Sequence, residues 1–331
     1  MTHPYSSLTP DLILDAVEST GFRSDGRLLA LNSYENRVYQ VGIEDGKPVI
    51  AKFYRPERWS QEQILEEHAF ATGLANAEIP VVPPLPLNGQ TLHSHAGFCF
   101  AVFERRGGRA PELDFADVRE VIGRFLGRIH MAAKAKPFLE RPTLNLASFG
   151  TVPRNWLLQQ TIIPADLVPA WKSVTDQALV EIAKCYDRAG GVALIRLHGD
   201  CHLGNILYTD EGPHFVDFDD CRMGPAIQDL WMLLSGTREE MTVQLRDVLD
   251  GYEDFADFDV RELHLIEALR TLRMIHYSYW LASRADDPAF QIAFPWFFGT
   301  DAQRYWQNQI LALREQVAAM QEAPISLRLT T

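Results

Sequence analysis

The run Leu197-His198-Gly199-Asp200-Cys201-His202-Leu203-Gly204-Asn205, followed by Phe215-Val216-Asp217-Phe218-Asp219, restricts the fold more than any other stretch of the chain. Asn205 lies five residues after Asp200, and Asp217 twelve residues after Asn205. The segments Ile206-Leu207-Tyr208 and His214-Phe215-Val216 flank the turn Thr209-Asp210-Glu211-Gly212-Pro213, a pattern that predicts a hairpin. A hairpin brings its ends together, so Asp200, Asn205 and Asp217 are expected around one point. Two short turns, each carrying a carboxylate, then meet at a site suited to a phosphate-bound metal.

Length and composition bound what surrounds that site. A chain of 331 residues holds about two ordinary domains or two lobes of one, and 47% hydrophobic residues can fill a substantial core. The formal charge of -13 argues against nonspecific nucleic-acid binding, which needs cations to neutralise phosphates. Cys99, Cys185, Cys201 and Cys221 form no close pair, so neither a zinc knuckle nor a disulfide framework is expected. No basic segment leads into an apolar run at the N-terminus, and no apolar run reaches the ~18 residues of a membrane span. The expectation is a cytoplasmic protein with no nucleic-acid or membrane partner. It is expected to be a monomer.

Thr9-Pro10-Asp11 before Leu12-Ile13-Leu14 reads as a capped helix start. Strands follow at 28–31, 37–41 and 48–54, with the turn Glu44-Asp45-Gly46-Lys47 between the last two. Lys52 sits in an otherwise apolar strand. It is either an exposed lysine on a solvated face or an ammonium held over a phosphate. Ser60 and Gln63 suit a capping box for a helix running to about Leu74. On that helix Gln63, Glu67, Phe70 and Leu74 share one face. Glu67 would pair with Lys52. Glu66 competes for the role, and simple solvation of both is the plainer alternative. A proline-rich connector at 77–90 leads to a strand at 97–103, and the charged, glycine-rich crossing Glu104–Arg109 marks a lobe boundary.

Beyond it the period is helical. Asp114 or Asp117 caps a helix striped by Val118, Val121, Ile122, Phe125 and Ile129, with Gly123 and Gly127 permitting close packing. His130, at the end of the stripe, reads as a hydrogen-bonded core residue. Residues 137–170, rich in proline, read as a loop-rich insertion before a helix at about 172–186. After the site, 220–225 read as a tight loop and 226–234 as an apolar helix. Asp229 in that helix needs partners, and its expected role is to accept backbone N–H groups from a nearby loop. Further helices are expected at 239–252, 260–283 and 301–320. The middle one carries His264, Arg270, Arg273, His276, Tyr277, Tyr279 and Trp280, and reads equally as a substrate wall or a helix–helix interface. Residues 286–299 read as a loop that folds its aromatics back onto the body.

This spacing permits phosphoryl transfer from a nucleotide. Asp200 would orient and deprotonate the accepting hydroxyl, Asn205 and Asp217 would ligate the metal, and Lys52 with Glu67 would hold the phosphates. Hard oxygen ligands favour Mg2+ over a transition metal. His198 reads as a lock for the turn in preference to a base, and His202 as structural support. Asp219 would contact metal or solvent, and Asp220 would be exposed. A transition-metal hydrolase built on His198, His202, Asp200 and Asp217 is the competing drawing. It leaves Asn205 and the Lys52–Glu67 pair unexplained.

His198-Gly199-Asp200-Cys201-His202-Leu203-Gly204-Asn205 carries the pattern His-Gly-Asp-x-His-x-x-Asn, and with Asp217 it resembles the aminoglycoside and choline phosphotransferase branch of the protein-kinase-like fold. The runs Leu31–Tyr39, Lys52–Trp59 and Asp229–Leu234 look closer still to a family of bacterial stress-response Ser/Thr protein kinases. The resemblance implies an α+β bilobal fold. Residues 1–104 would form a small antiparallel-sheet lobe with one key helix, and residues 105–331 a larger, mainly helical lobe with the catalytic and metal loops. It implies ATP and Mg2+ as cofactors, with Asp200 as catalytic base, Asn205 and Asp217 as metal ligands, Lys52 as the phosphate lysine and Glu67 as its partner. It also implies autophosphorylation and a protein substrate with a Ser or Thr acceptor.

Two departures stand out. The usual glycine-rich nucleotide loop is replaced by Asn32–Arg37, where Ser33 and Asn36 would help backbone N–H groups cradle phosphate. The metal motif is Asp-Phe-Asp, and the segment from Asp219 to Pro225 is too short for a long regulatory loop. A small-molecule hydroxyl kinase and a catalytically inactive nucleotide-binding scaffold are the alternatives.

Overall fold

The computed structural model describes residues 4–31 and 33–327. Asn32, part of the expected phosphate loop, lies outside the described residues.

The chain begins with helix α1 (Pro10–Glu18), capped by the Thr9 side chain, and enters strands β1 (Ser24–Ala30), β2 (Arg37–Ile43) and β3 (Val49–Phe53). Helix α2 (Gln61–Asn76) follows, then β4 (His93–His95) and β5 (Phe98–Glu104). The five strands form one sheet in the order β1-β2-β3-β5-β4, each pair antiparallel. Strand alternation in β3 decides what its residues do. Val49, Ala51 and Phe53 point to a buried cluster that includes Ile13, Ala16 and Val17 of α1. Lys52 therefore points to the opposite face. Its cross-strand neighbour on β5 is Ala101, a small residue beside the long lysine stem. The capping box of α2 is as expected, with Ser60 Oγ accepting from the Gln63 N–H and Gln63 Oε1 from the Ser60 N–H.

Helix α3 (Ala116–Ala133) opens the second part, and its N-cap is Phe115 with no side-chain cap, so neither Asp114 nor Asp117 plays that role. Residues 137–170 are more ordered than their prolines suggested. A π-helical turn (Leu146–Thr151) capped by Asn145 runs into α4 (Val152–Gln159), where Pro153 sits in the first turn. Helix α5 (Val168–Ala189) is longer than expected and ends at Gly190 in the left-handed conformation.

Strand β6 (Ile195–Leu197) precedes the hairpin of β7 (Ile206–Thr209) and β8 (Gly212–Phe215), which pair in register from Ile206–Phe215 to Thr209–Gly212. The segment expected as a tight loop after Asp219 is instead a strand, β9 (Arg222–Gly224), paired antiparallel with β6. The apolar run at 226–234 is helical only over α6 (Ile227–Trp231).

Helices α7 (Arg238–Tyr252), α8 (Ile266–Ala282), α9 (Pro288–Ala293), α10 (Pro295–Phe298) and α11 (Ala302–Gln321) complete the chain. The expected loop at 286–299 is thus largely two short helices. Its aromatics do fold inward: Phe290 and Phe297 are fully buried in a cluster with Trp171 and Trp306. A Cβ on Gly123 or Gly127 would strike the Val248 or Tyr252 carbonyl oxygen at 1.9 and 2.4 Å, so these glycines set the contact of α3 with α7. The main core, with Leu126, Leu230 and Leu269, takes in Ile206 and Phe215 at the base of the hairpin. Among the described residues no helix is long and apolar enough to cross a membrane.

Candidate active site

The turn after β6 is held from below by Asp229. Its carboxylate accepts the backbone N–H groups of His198 (2.8 Å) and Gly199 (2.9 Å) and also meets His130 Nε2 at 3.1 Å. His130 in turn meets the Tyr252 hydroxyl at 3.0 Å. Burial alone would push the Asp229 carboxyl up, but His130 and the Gly199 N–H outweigh it and hold the group below its usual range. The expected roles of Asp229 and His130 are therefore seen as hydrogen bonds.

His198 is fully buried and its Nε2 meets the Val216 carbonyl at 2.9 Å, so it ties this turn to the backbone just before Asp217. The Val216 N–H donates to the Asn205 carbonyl at 3.0 Å. Gly199, at φ +86°, approaches the Asp220 carbonyl so closely that a Cβ would lie 2.1 Å from that oxygen. Two hydrogen bonds and one close backbone approach thus bring the two loops together at the mouth of the hairpin. Asp217 itself adopts φ +61°, the left-handed region that a non-glycine residue rarely enters. Its side chain is 51% exposed.

Lys52 reaches this point from the sheet. Its Nζ lies 2.8 Å from Asp217 Oδ1, 3.4 Å from Asp219 Oδ1 and 3.5 Å from Glu67 Oε1. Burial opposes its charge, but Asp217, Asp219 and Glu67 together raise its pKa well above the ordinary value. Glu67 is shared: its Oε2 also binds Arg141 at 2.8 Å. Burial pushes the Glu67 carboxyl up to about 7 against the pull of Lys52 and Arg141. Glu66, the competing residue, instead accepts the backbone N–H groups of Leu139, Glu140 and Arg141 and so delivers Arg141 to the site.

Asp219 and Asp220 require correction. Asp219 is buried and ion-paired with Arg58 and Lys52, so it does not face solvent. Arg58, then Lys52, outweigh burial and lower its pKa. Asp220 is half-buried between Arg58 (2.9 Å) and Arg222 (2.5 Å). Arg58 and Arg141 were missed by sequence reasoning. Both act across more than seventy residues of chain, Arg141 from a segment with no periodic pattern.

Asp200 lies at the open side of the site. Its Oδ1 is 2.8 Å from Arg273 Nη1 on α8 and its Oδ2 is 3.4 Å from His202 Nε2. Burial raises its pKa, but the His202 contact and the Arg273 charge more than compensate, so the carboxyl stays ionised at neutral pH. Asn205 Nδ2 donates to the Asp200 carbonyl at 2.9 Å, which leaves the amide oxygen as its remaining acceptor. His202 Nδ1 accepts the Gly204 N–H.

In the segment expected to cradle phosphate, Ser33 Oγ donates to the Asn36 carbonyl at 3.1 Å. The Asn36 side chain is buried and accepts the Arg55 N–H at 3.0 Å, so it braces the segment from within. Glu35 of the same segment pairs with Arg284 (3.0 Å), and Arg37 with Asp287 (3.2 Å).

The donor set fits Mg2+. One exposed carboxylate and one amide oxygen are the hard ligands that this ion takes when substrate phosphates complete its shell. Asp217 already faces a cation, the Lys52 ammonium. His198, one ligand of the hydrolase drawing, is buried with its Nε2 on the Val216 carbonyl, and among the described residues no group of three or more His, Cys, Asp or Glu is gathered.

Residues 27–266 match the model of a phosphotransferase enzyme family. The chain is 47% identical over 323 residues to stress response kinase A of Escherichia coli (strain K12), covering 98% of this chain and 97% of that one. It is 46% identical, with the same coverage, to the serine/threonine protein kinase RdoA of Salmonella typhimurium. Among solved structures it is similar to the amicoumacin kinase hAmiN in complex with AMP-PNP, Ca2+ and Ami, with a TM-score of 0.70 and 20% identity over 94% of this chain and 93% of that one.

Proposed function

The chain belongs to the phosphotransferase enzyme family, and within it we propose that it is an ATP-dependent serine/threonine protein kinase that also phosphorylates itself and acts in bacterial stress response. The observation that carries the reading is the meeting of Lys52, Asp217 and the Asp200–Asn205 loop at one point. The protein acceptor is favoured by the relatives' names, at 46–47% identity over nearly the whole chain.

Lys52 would hold the nucleotide phosphates as a fixed positive charge. Asp217 and the Asn205 amide oxygen would hold Mg2+. The ion supplies charge neutralisation across the phosphate oxygens when bound. Asp200 would orient the acceptor hydroxyl and take its proton as the oxygen bonds to the γ-phosphorus and ADP leaves with the electron pair of the broken P–O bond. Because the hydroxyl proton leaves late, a carboxylate of low pKa suffices. The region 1–104 would bind nucleotide and 105–331 the acceptor, in a monomer.

A radiolabel-transfer panel tests this, with Mg2+ and γ-labelled ATP supplied to the enzyme alone, to protein acceptors and to small hydroxyl compounds. Label on the enzyme and on protein serine or threonine, lost in Asp200→Ala, is the expected result. Turnover confined to small compounds overturns the protein-kinase reading in favour of a small-molecule kinase.

A further inference from the structure

Both oxygens of the base have a cationic side chain or an imidazole beside them in this state, and Oδ1 receives no hydrogen bond. Arg273 stands at 2.8 Å from Oδ1 of Asp200 and His202 at 3.4 Å from Oδ2. Oδ1 is closed to solvent beneath the guanidinium, so an acceptor hydroxyl reaches it only when Arg273 moves aside.

The other arginines nearby are fixed. Arg58, Arg222, Arg141 and Arg284 are largely buried, each paired to an acid on the loops or on α2. Arg273 differs. Its side chain is 40% exposed, on the outer side of the base, and its ion pair is with Asp200 itself. The other acids near the mouth are engaged: Asp220 by Arg58 and Arg222, Glu35 by Arg284 and the Trp280 indole N–H. An incoming acceptor therefore meets a partly exposed guanidinium, while Asp220 and Glu35 are already paired. A cationic amino alcohol would be repelled by that charge, whereas an anion next to the hydroxyl would attract it.

We propose that Arg273 selects the acceptor: it masks Asp200 in the free enzyme and is drawn off the base by an anionic group beside the acceptor hydroxyl, so that the substrates are serine or threonine segments with an acidic or phosphorylated neighbour. That the acceptor is a peptide segment rests on the protein-kinase reading, whereas the preference of anion over cation does not. Once Arg273 moves, the acceptor O–H donates to the vacated Oδ1. The proton passes to Asp200 as the oxygen–phosphorus bond forms and ADP departs.

The test uses the full chain with Mg2+ and ATP, as wild type, Arg273→Gln and Arg273→Lys. Acceptors are serine peptides flanked by aspartate, by phosphoserine or by arginine, and two small compounds, a hydroxy acid and an amino alcohol. Wild type is expected to favour the aspartate or phosphoserine flank over arginine by at least about tenfold in kcat/KM. Arg273→Gln should bring the flanks within about threefold of each other, and Arg273→Lys should restore part of the preference. Which anionic flank gains more tells carboxylate from phosphate. Unmasking should also raise acceptor-free ATP hydrolysis several-fold in Arg273→Gln, a readout that a purely structural role would not move upward.

Equal flanks or an arginine preference in wild type overturn the proposal, as does a preference that survives Arg273→Gln. If only the small compounds take label, the protein-kinase reading fails, and the order of hydroxy acid against amino alcohol decides the inference separately. If nothing takes label, acceptor-free hydrolysis decides: a rate in Arg273→Gln no higher than wild type ends it.

Discussion

Asp229 shows how much one buried carboxylate can organise. It is fully buried, and its two oxygens hold two consecutive backbone N–H groups and one imidazole. Replacing it with alanine leaves those donors without an acceptor in a space that solvent does not reach. Asp229→Ala is expected to lose about 3–5 kcal/mol of stability in urea unfolding. Phosphoryl transfer should fall further than stability alone explains, because Asp200 rides on the turn that Asp229 holds. A loss under about 1 kcal/mol would show that the turn is held by other contacts. This residue was legible from sequence because an acid inside an apolar run has few outcomes. Asp219 was not, since the arginine that claims it lies far away in the chain and nothing local marks the pair.

At the scale of elements, local chemistry was readable where it is self-contained. The Ser60–Gln63 box, the hairpin at Asn205–Asp217 and the alternation of β3 are each fixed by a handful of adjacent residues. The turn-rich stretch 137–170 misled because its prolines were read as breakers, whereas Pro153 lies where a helix accepts one. Strand β9 was unreadable because its three residues are strand only by pairing with β6.

Two predictions belong to this scale. Gly123→Ala places a methyl against the Val248 carbonyl at 1.9 Å, so α3 and α7 must part, at a cost of about 3 kcal/mol in thermal or urea unfolding. Glu262 accepts the Ile227 N–H at 2.7 Å at the start of α6, and burial pushes its carboxyl from 4.5 up to about 7. The native state then holds a proton that the unfolded chain has released, so this group stabilises the fold below about pH 4.5 and the contribution fades as pH rises to 7. The loss over that window is on the order of 3 kcal/mol. Glu262→Gln keeps an acceptor but cannot ionise, and its stability should fall less than wild type over the same window. Parallel stability–pH curves for the two proteins would contradict this assignment.

For the molecule as a whole, net charge and local charge point in opposite directions. The chain is acidic at -13, yet the carboxylates around the cleft are answered by Lys52, Arg58, Arg141, Arg222 and Arg273. The net charge of the chain therefore does not describe the charge that an acceptor meets at the cleft. The segment expected to cradle phosphate is tied to the far end of the chain through Glu35–Arg284 and Arg37–Asp287, a connection of some 250 residues that periodicity does not encode. Sequence gave access to the chemistry of each loop but not to the cations that hold the loops in place.

In the proposed function Asp200 and Asp217 serve a single phosphoryl-transfer site with separate tasks. The most direct measurement is label transfer from γ-labelled ATP, with nucleotide affinity as a function of Mg2+, in Asp200→Asn and Asp217→Asn. Asp200→Asn should keep Mg2+-dependent ATP affinity within a few-fold of wild type while transfer drops by roughly 10²–10⁴-fold. Asp217→Asn should lose the Mg2+ dependence of ATP binding along with transfer. Wild-type transfer in Asp200→Asn, or an unchanged Mg2+ dependence in Asp217→Asn, would contradict this division of tasks.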